Sequence, residues 1–237
     1  MMPIPVIAGV IRRRMLVNYR VDPDVAQRAL PKQFRPKLAH GYAVAGICLI
    51  RLEQIRPKSM PALIGLSSEN AAHRFSVEWD EGSETHEGVF IPRRDTSSMA
   101  NHLVGGRLFS GEHGLAEFKV TDDEHNIDFE MHAADGMSVR LKAHETDALP
   151  STSIFKTLEE SSQFFENGAV GYSARRDSEE IDGLRLEVQK WKVLPLAIEE
   201  VYSSYYSDPS LFPEGSVVFD HALIMRNIDH EWHALPK

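Results

Sequence analysis

The stretch L-A-E-F-K-V-T-D-D-E-H-N-I-D-F-E-M-H-A-A-D-G-M-S-V-R-L-K-A, Leu115 to Ala143, decides the fold class. It divides into three short strands, Leu115 to Thr121, Ile127 to Ala133 and Met137 to Ala143. Asp135-Gly136, between the last two, suits a tight hairpin, because glycine takes positive φ without steric cost. Outward from this core the strand signals continue. Tyr42 to Glu53 reads as a long strand, apolar to Ile50 and charged beyond it. In Ala71 to Trp79, Phe75, Val77 and Trp79 share one face, and Arg74, Ser76 and Glu78 the other. Gly88 to Pro92, Val170 to Arg176, Leu184 to Val193 and Ser216 to Arg226 complete the set.

Helical signals are fewer. Asp22 to Leu30 has a capping aspartate, Pro23 at the first helical position and Pro31 as a stop. Thr96 or Ser97 caps a second helix carrying Met99, His102 and Leu103, closed by Gly105-Gly106. Ser151 to Asn167 is expected to be the longest, with Phe155, Leu158 and Phe165 inward. Many strands with a few helices between them predict an α+β fold around a strongly curved, mostly antiparallel sheet, or partly closed barrel, with peripheral helices. There is no repeat, low-complexity run or flexible linker, so one domain over residues 1–237 is expected.

Composition narrows the classes. The 237 residues are 42% hydrophobic and 26% charged, which gives a core and argues against disorder. Lys+Arg number 26 against 35 Asp+Glu, a net charge of −9. No apolar run approaches the ~20 residues of a membrane-spanning helix. Arg12-Arg13-Arg14 follows an apolar start, the reverse of a secretion signal. Cys48 is the single cysteine, so no internal disulfide forms and a reducing, cytoplasmic setting is expected. No basic stripe interleaved with aromatics suggests nucleic acid.

Chemistry-bearing motifs are sparse. No H-E-x-x-H occurs, and His230 and His233 would share a face on a helix but point oppositely on a strand; read as part of a solvated tail near the C-terminus, they give no metal site, and no cofactor is expected. Nucleophile elbows and phosphate-binding glycine loops are missing too. Arg93-Arg94-Asp95-Thr96 offers two guanidinium groups before a helix start, fit to hold a carboxylate or phosphate; equally, Asp95 caps the helix while an arginine pairs with a surface acid. Glu69-Asn70 and Glu112-His113 stand at strand entrances, where they serve acid–base chemistry or simply make turns. Lys190 follows Leu184, Leu186 and Val188 on one strand face, where an amine would form a Schiff base with a ketone unless it snorkels outward.

Three segments carry a family resemblance. Val17 to Pro31, V-N-Y-R-V-D-P-D-V-A-Q-R-A-L-P, resembles the opening strand and proline-ended helix of the acetoacetate decarboxylase-like superfamily. Leu66 to Trp79, with S-S-E-N leading into R-F-S-V, is similar to the segment that bears an active-site glutamate there. Phe219 to Arg226, F-D-H-A-L-I-M-R, with H-E-W-H after it, looks like the closing strand of a bacterial branch of unknown function. The resemblance implies a curved sheet around a small-molecule cavity lined by Arg12 and Glu69, and a homo-oligomer. Where those decarboxylases carry adjacent lysines, this chain has Gly106 to Leu115, with Glu112 and His113 in their place. No lysine occurs between Lys58 and Lys119. The Schiff-base mechanism needs that amine.

Two chemical functions therefore stand, beside a third reading as a structural or interaction protein whose cavity is residual. The first is binding of a small carboxylate-type ligand in a barrel cavity without Schiff-base catalysis, with Arg12, Arg93 and Arg94 as ligand-binding residues. The alternative is a lyase or hydratase acting on a small keto or hydroxy acid, with Glu69, Glu112 and His113 as the acid–base groups. Neither involves a membrane or nucleic acid.

Overall fold

A computed structural model describes residues 5–99, 113–174 and 181–235. In chain order, β1 (Ile7–Val21) leads into α1 (Pro23–Arg28), the short β2 (Arg35–Pro36) and β3 (Leu38–Ala39), then the long β4 (Tyr42–Pro57). A 3₁₀ turn (Ala62–Ile64) precedes β5 (Leu66–Glu81) and β6 (Glu84–Thr96). The strands of the opening stretch follow as β7 (His113–Asp122), β8 (Asn126–Ala133) and β9 (Ser138–Glu145). The chain ends with α2 (Leu158–Glu166), β10 (Val170–Ala174), β11 (Ile181–Val188), β12 (Leu194–Ser203) and β13 (Val217–Ala234).

The strands close into two rings that share a wall. Pairing runs β6-β7-β8-β9-β12-β13-β1-β4-β5 and returns to β6, a ring of nine strands. A second circuit, β13-β1-β4-β5-β6-β10-β11, closes through the β11–β13 pairing into a ring of seven. Two pairings are parallel, β6 with β7 and β6 with β10, so the sheet is mixed. The α+β, curved-barrel expectation holds, with closure more complete than periodicity implied.

Each ring has its own core. The nine-strand ring is packed solid by Met15, Ile47, Leu49, Phe75, Phe129, Met131, Leu141, Leu196 and Ile224. The opposite face of the shared wall buries Leu16, Cys48, Ile50, Leu223 and Met225 against Phe155 and Phe165 beside and on α2. Strands of the shared wall are thus buried on both faces.

A coordinated irregularity decides which side chain enters which ring. The β1–β4 register skips between Ile11 and Arg13, and the β4–β5 register between Leu52 and Ile55. Gln54 on β4 and Asn227 on β13 take positive φ, 54° and 55°; Asn227 stands opposite Arg12, and Gln54 lies near the further skip between Ala8 and Val10. Such bulges reverse the alternation of faces. Ile11 therefore packs in the second core, whereas Met15 and Val17 pack in the first.

Local chemistry follows the sequence in α1, where Asp22 caps the helix by accepting from the amides of Asp24 and Val25. The Asp135-Gly136 hairpin forms, with Gly136 at φ 91°. The long helix from Ser151 is shorter than expected, starting at Leu158. Asp220 holds the preceding segment, accepting from the Ser153 hydroxyl at 2.7 Å and the Ile154 amide at 3.0 Å, and Thr157 then caps α2. Strand β6 continues through Asp95 and Thr96, so neither begins a helix. The rest of the helix expected there, up to Gly105-Gly106, falls outside the described residues. No helix among the described residues is long and apolar enough to cross a membrane.

Candidate functional site

The seven-strand ring is not filled. It encloses a cavity of about 130 Å³ to which every one of its strands contributes. Arg14 comes from β1, Cys48 and Ile50 from β4, Asn70 and Arg74 from β5, and Arg94 from β6. Gly171 from β10, Leu184 and Leu186 from β11 and Trp232 from β13 close the far side, and His113 at the head of β7 joins them. The parallel β6–β7 register sets His113 directly beside Arg94. Gly114, next in the chain, allows this approach, since a Cβ there would stand 2.6 Å from Asp95 Oδ1.

Three guanidinium groups dominate the lining. Arg74 is 3% exposed; its Nη2 donates to Asn18 Oδ1 at 2.6 Å, and its buried Nε has no partner among the described residues. Arg94 Nε donates to Ser173 Oγ at 3.3 Å. Burial pulls the pKa of both down to about 10. Arg14 Nε donates to Cys48 Sγ at 3.2 Å. Among the described residues no carboxylate pairs with any of the three; their polar contacts are an amide oxygen, a hydroxyl and a thiol. An unpaired buried cation carries a desolvation penalty of several kcal/mol, which a bound anion would offset.

The other ring treats its charges differently. Arg13 Nη2 donates to Glu69 at 2.8 Å and its Nη1 to Asp122 at 3.3 Å. Asp122 also accepts two bonds from Arg226, whose Nε reaches Glu145 at 2.9 Å. With Arg51 Nη1 standing 4.0 Å from Glu69, three arginines face three acids in this network. Glu69, its carboxyl raised by burial, thus lies on the face of β5 opposite the cavity.

The expected site residues divide accordingly. Arg94 and His113 line the cavity. Arg93 does not: it donates two bonds to Asp95 and two to Asp135, which hold it on the other face of β6. Arg12, expected in the cavity, is displaced to the surface by the bulge and donates to Glu53 and Asn227. Glu69 is outside the cavity, and Glu112 lies outside the described residues. Lys190 is exposed beyond the end of β11. No cluster of three metal-ligating side chains occurs among the described residues.

Arg14, Arg74, Asn70, Cys48 and Trp232 are additions. Arg74 was visible as the polar face of an alternating strand, but that face reads as solvent unless a second ring covers it. Ser161, His221 and Asp220 form a chain of 2.8 and 2.7 Å contacts that resembles a nucleophilic triad in spacing. All three are buried, and Asp220 is also held by Ser153 and Arg20, so the chain fastens α2 to the sheet.

Comparison with known proteins agrees with this architecture. The model of the DUF2071 family, described as an uncharacterized conserved protein, matches residues 10–218. An acetoacetate decarboxylase from Legionella pneumophila superposes with a TM-score of 0.61 at 13% identity, covering 98% of this chain and 87% of that one. An acetoacetate decarboxylase-like enzyme from Sphingomonas wittichii RW1 gives 0.61 at 13% identity, over 99% and 94%. The enduracididine biosynthesis enzyme MppR, complexed with pyruvate, gives 0.59 at 12% identity, over 100% and 92%. No curated protein matches by sequence. At these identities the likeness is one of fold.

Proposed function

This chain belongs to the DUF2071 family, and we propose that it binds a small carboxylate in the cavity of the seven-strand ring without forming a Schiff base. The observation that carries this reading is the trio Arg14, Arg74 and Arg94, buried or half-buried around one cavity with no acid paired to them among the described residues. Guanidinium forks match a carboxylate's two oxygens, and a recessed, largely apolar-walled site strengthens the bond. The pyruvate complex of the similarly folded MppR supports the ligand class.

Among the described residues no lysine lines the cavity. Lys37 lines a small adjoining pocket, where Glu87 accepts from its Nζ and the Phe164 ring centroid lies 4.3 Å away. An iminium with a ligand in the main cavity therefore lacks a donor amine there.

A second reading draws on His113 beside Arg94: acid–base lyase or hydratase chemistry, in which the arginine holds the acid group and the imidazole moves a proton. Calorimetric titration with pyruvate, acetoacetate and related acids tests binding. Heat that disappears in Arg74→Gln and Arg94→Gln supports the site; heat unchanged in both variants refutes it. Turnover of any of these acids that is lost in His113→Ala would favour the second reading. A borohydride-trapped adduct would contradict the exclusion of a Schiff base.

A further inference from the structure

The cavity has two cationic poles. Arg14 and Arg74 also line the small adjoining pocket, whereas Arg94 and His113 do not. Between them the strand registers lay a short, weakly polar floor: Leu16 pairs with Cys48, Cys48 with Ala72, and Ala72 with Arg94. Arg94 on β6 and Arg14 on β1 stand three strand steps apart, about 14 Å between backbones at the usual strand spacing. Their side chains close part of that distance from opposite ends. One compact anion at either end leaves the other end's charge buried and unpaired.

We infer that the ligand is a dianion, a short dicarboxylic or oxo-dicarboxylic acid with one carboxylate at each cationic pole. This rests on the carboxylate-binding reading above and adds the second charge. Glu87 in the adjoining pocket does not supply it, because that carboxylate is engaged by Lys37. The apolar Ile50, Leu184 and Leu186 would face the methylene spacer. A cavity of roughly 150 Å³ accepts benzene, so about 130 Å³, open at one side, limits the ligand to a short diacid of about four to five carbons.

The test is calorimetric titration of the whole protein, at fixed salt, with matched pairs: succinate against butyrate, glutarate against pentanoate, and 2-oxoglutarate against 2-oxopentanoate. The expected result is a diacid bound about tenfold or more tighter than its monoacid. Arg94→Gln, with folding checked by circular dichroism, should bring the diacid down to the monoacid's affinity; should that variant not fold, Arg14→Gln replaces it with the same expectation. Equal affinity of diacid and monoacid overturns the dianion and leaves the carboxylate site standing. Binding of neither overturns both.

Discussion

Arg13 and Arg14 are sequence neighbours on β1 whose guanidinium groups enter two different rings. The first is matched by Glu69 and Asp122; the second meets a thiol and the face of Trp191, with no acid paired to it among the described residues. Among the described residues, the arginines of one ring are paired with acids and those lining the other ring's cavity are not.

That difference predicts opposite stability effects. Arg13→Gln removes the buried cation that Glu69 and Asp122 share, leaving them only Arg51 at 4.0 Å and Arg226, and should cost about 2 to 3 kcal/mol. Arg94→Gln removes a buried charge with no acid partner among the described residues, and should leave the ligand-free protein as stable or raise it by about 1 kcal/mol. Urea unfolding of both variants checks this; two equal losses would argue against the distinction.

A steric variant separates shape from charge. A Cβ at position 171 would lie 3.2 Å from Ile91 Cδ1 and 3.9 Å from Arg94 Nη2, so Gly171→Val fills the cavity beside an intact arginine. The fold should tolerate it, because the nearest atom is a mobile methyl. Carboxylate affinity should fall about tenfold or more. Unchanged affinity would place the ligand elsewhere.

The sequence revealed the two rings unequally. Strands β7, β8 and β9 are legible because each alternates cleanly and Asp135-Gly136 marks the turn. Strand β12 escapes notice because its register slips between Ile198 and Glu200, breaking the period of two. The site is harder still. Arg74 and Ser76 look like a solvated face until β10 and β11 cover them, and Arg12 looks equivalent to Arg14 until the bulge beside Asn227 sends it outward. Arg94 and His113 were accessible as polar residues near strand ends. Their adjacency arises from a parallel pairing between segments separated by residues 97–112, which local pattern does not encode.

Acid should destabilise the protein through His73. Burial pulls this imidazole's pKa down from 6.5 to about 3, with Ser203 Oγ 3.1 Å from its Nε2. Between those values the unfolded chain binds the proton and the folded chain does not, so stability rises with pH. The contribution is complete above pH 6.5 and is lost as pH falls toward 3, by at most about 1.4 kcal/mol per unit. His230, lowered by burial to about 4, acts in the same direction. Thermal melts from pH 7 to 5 should show a steeper decline in the native protein than in His73→Gln. Parallel curves would remove His73 as a cause.

The Ser161–His221–Asp220 chain should behave as a fastening. Ser161→Ala is expected to cost about 1 to 2 kcal/mol by leaving His221 Nε2 with one partner fewer, while ligand affinity stays unchanged. Lost hydrolytic turnover in that variant would contradict the assignment.

The most direct measurement is a crystal structure of the protein grown with succinate. The account predicts density for the ligand inside the seven-strand ring, with carboxylate oxygens about 2.7 to 2.9 Å from guanidinium nitrogens of Arg94 and of Arg14 or Arg74. Density beside Arg13 and Glu69 at the nine-strand ring, or an empty cavity at saturating succinate, would contradict it.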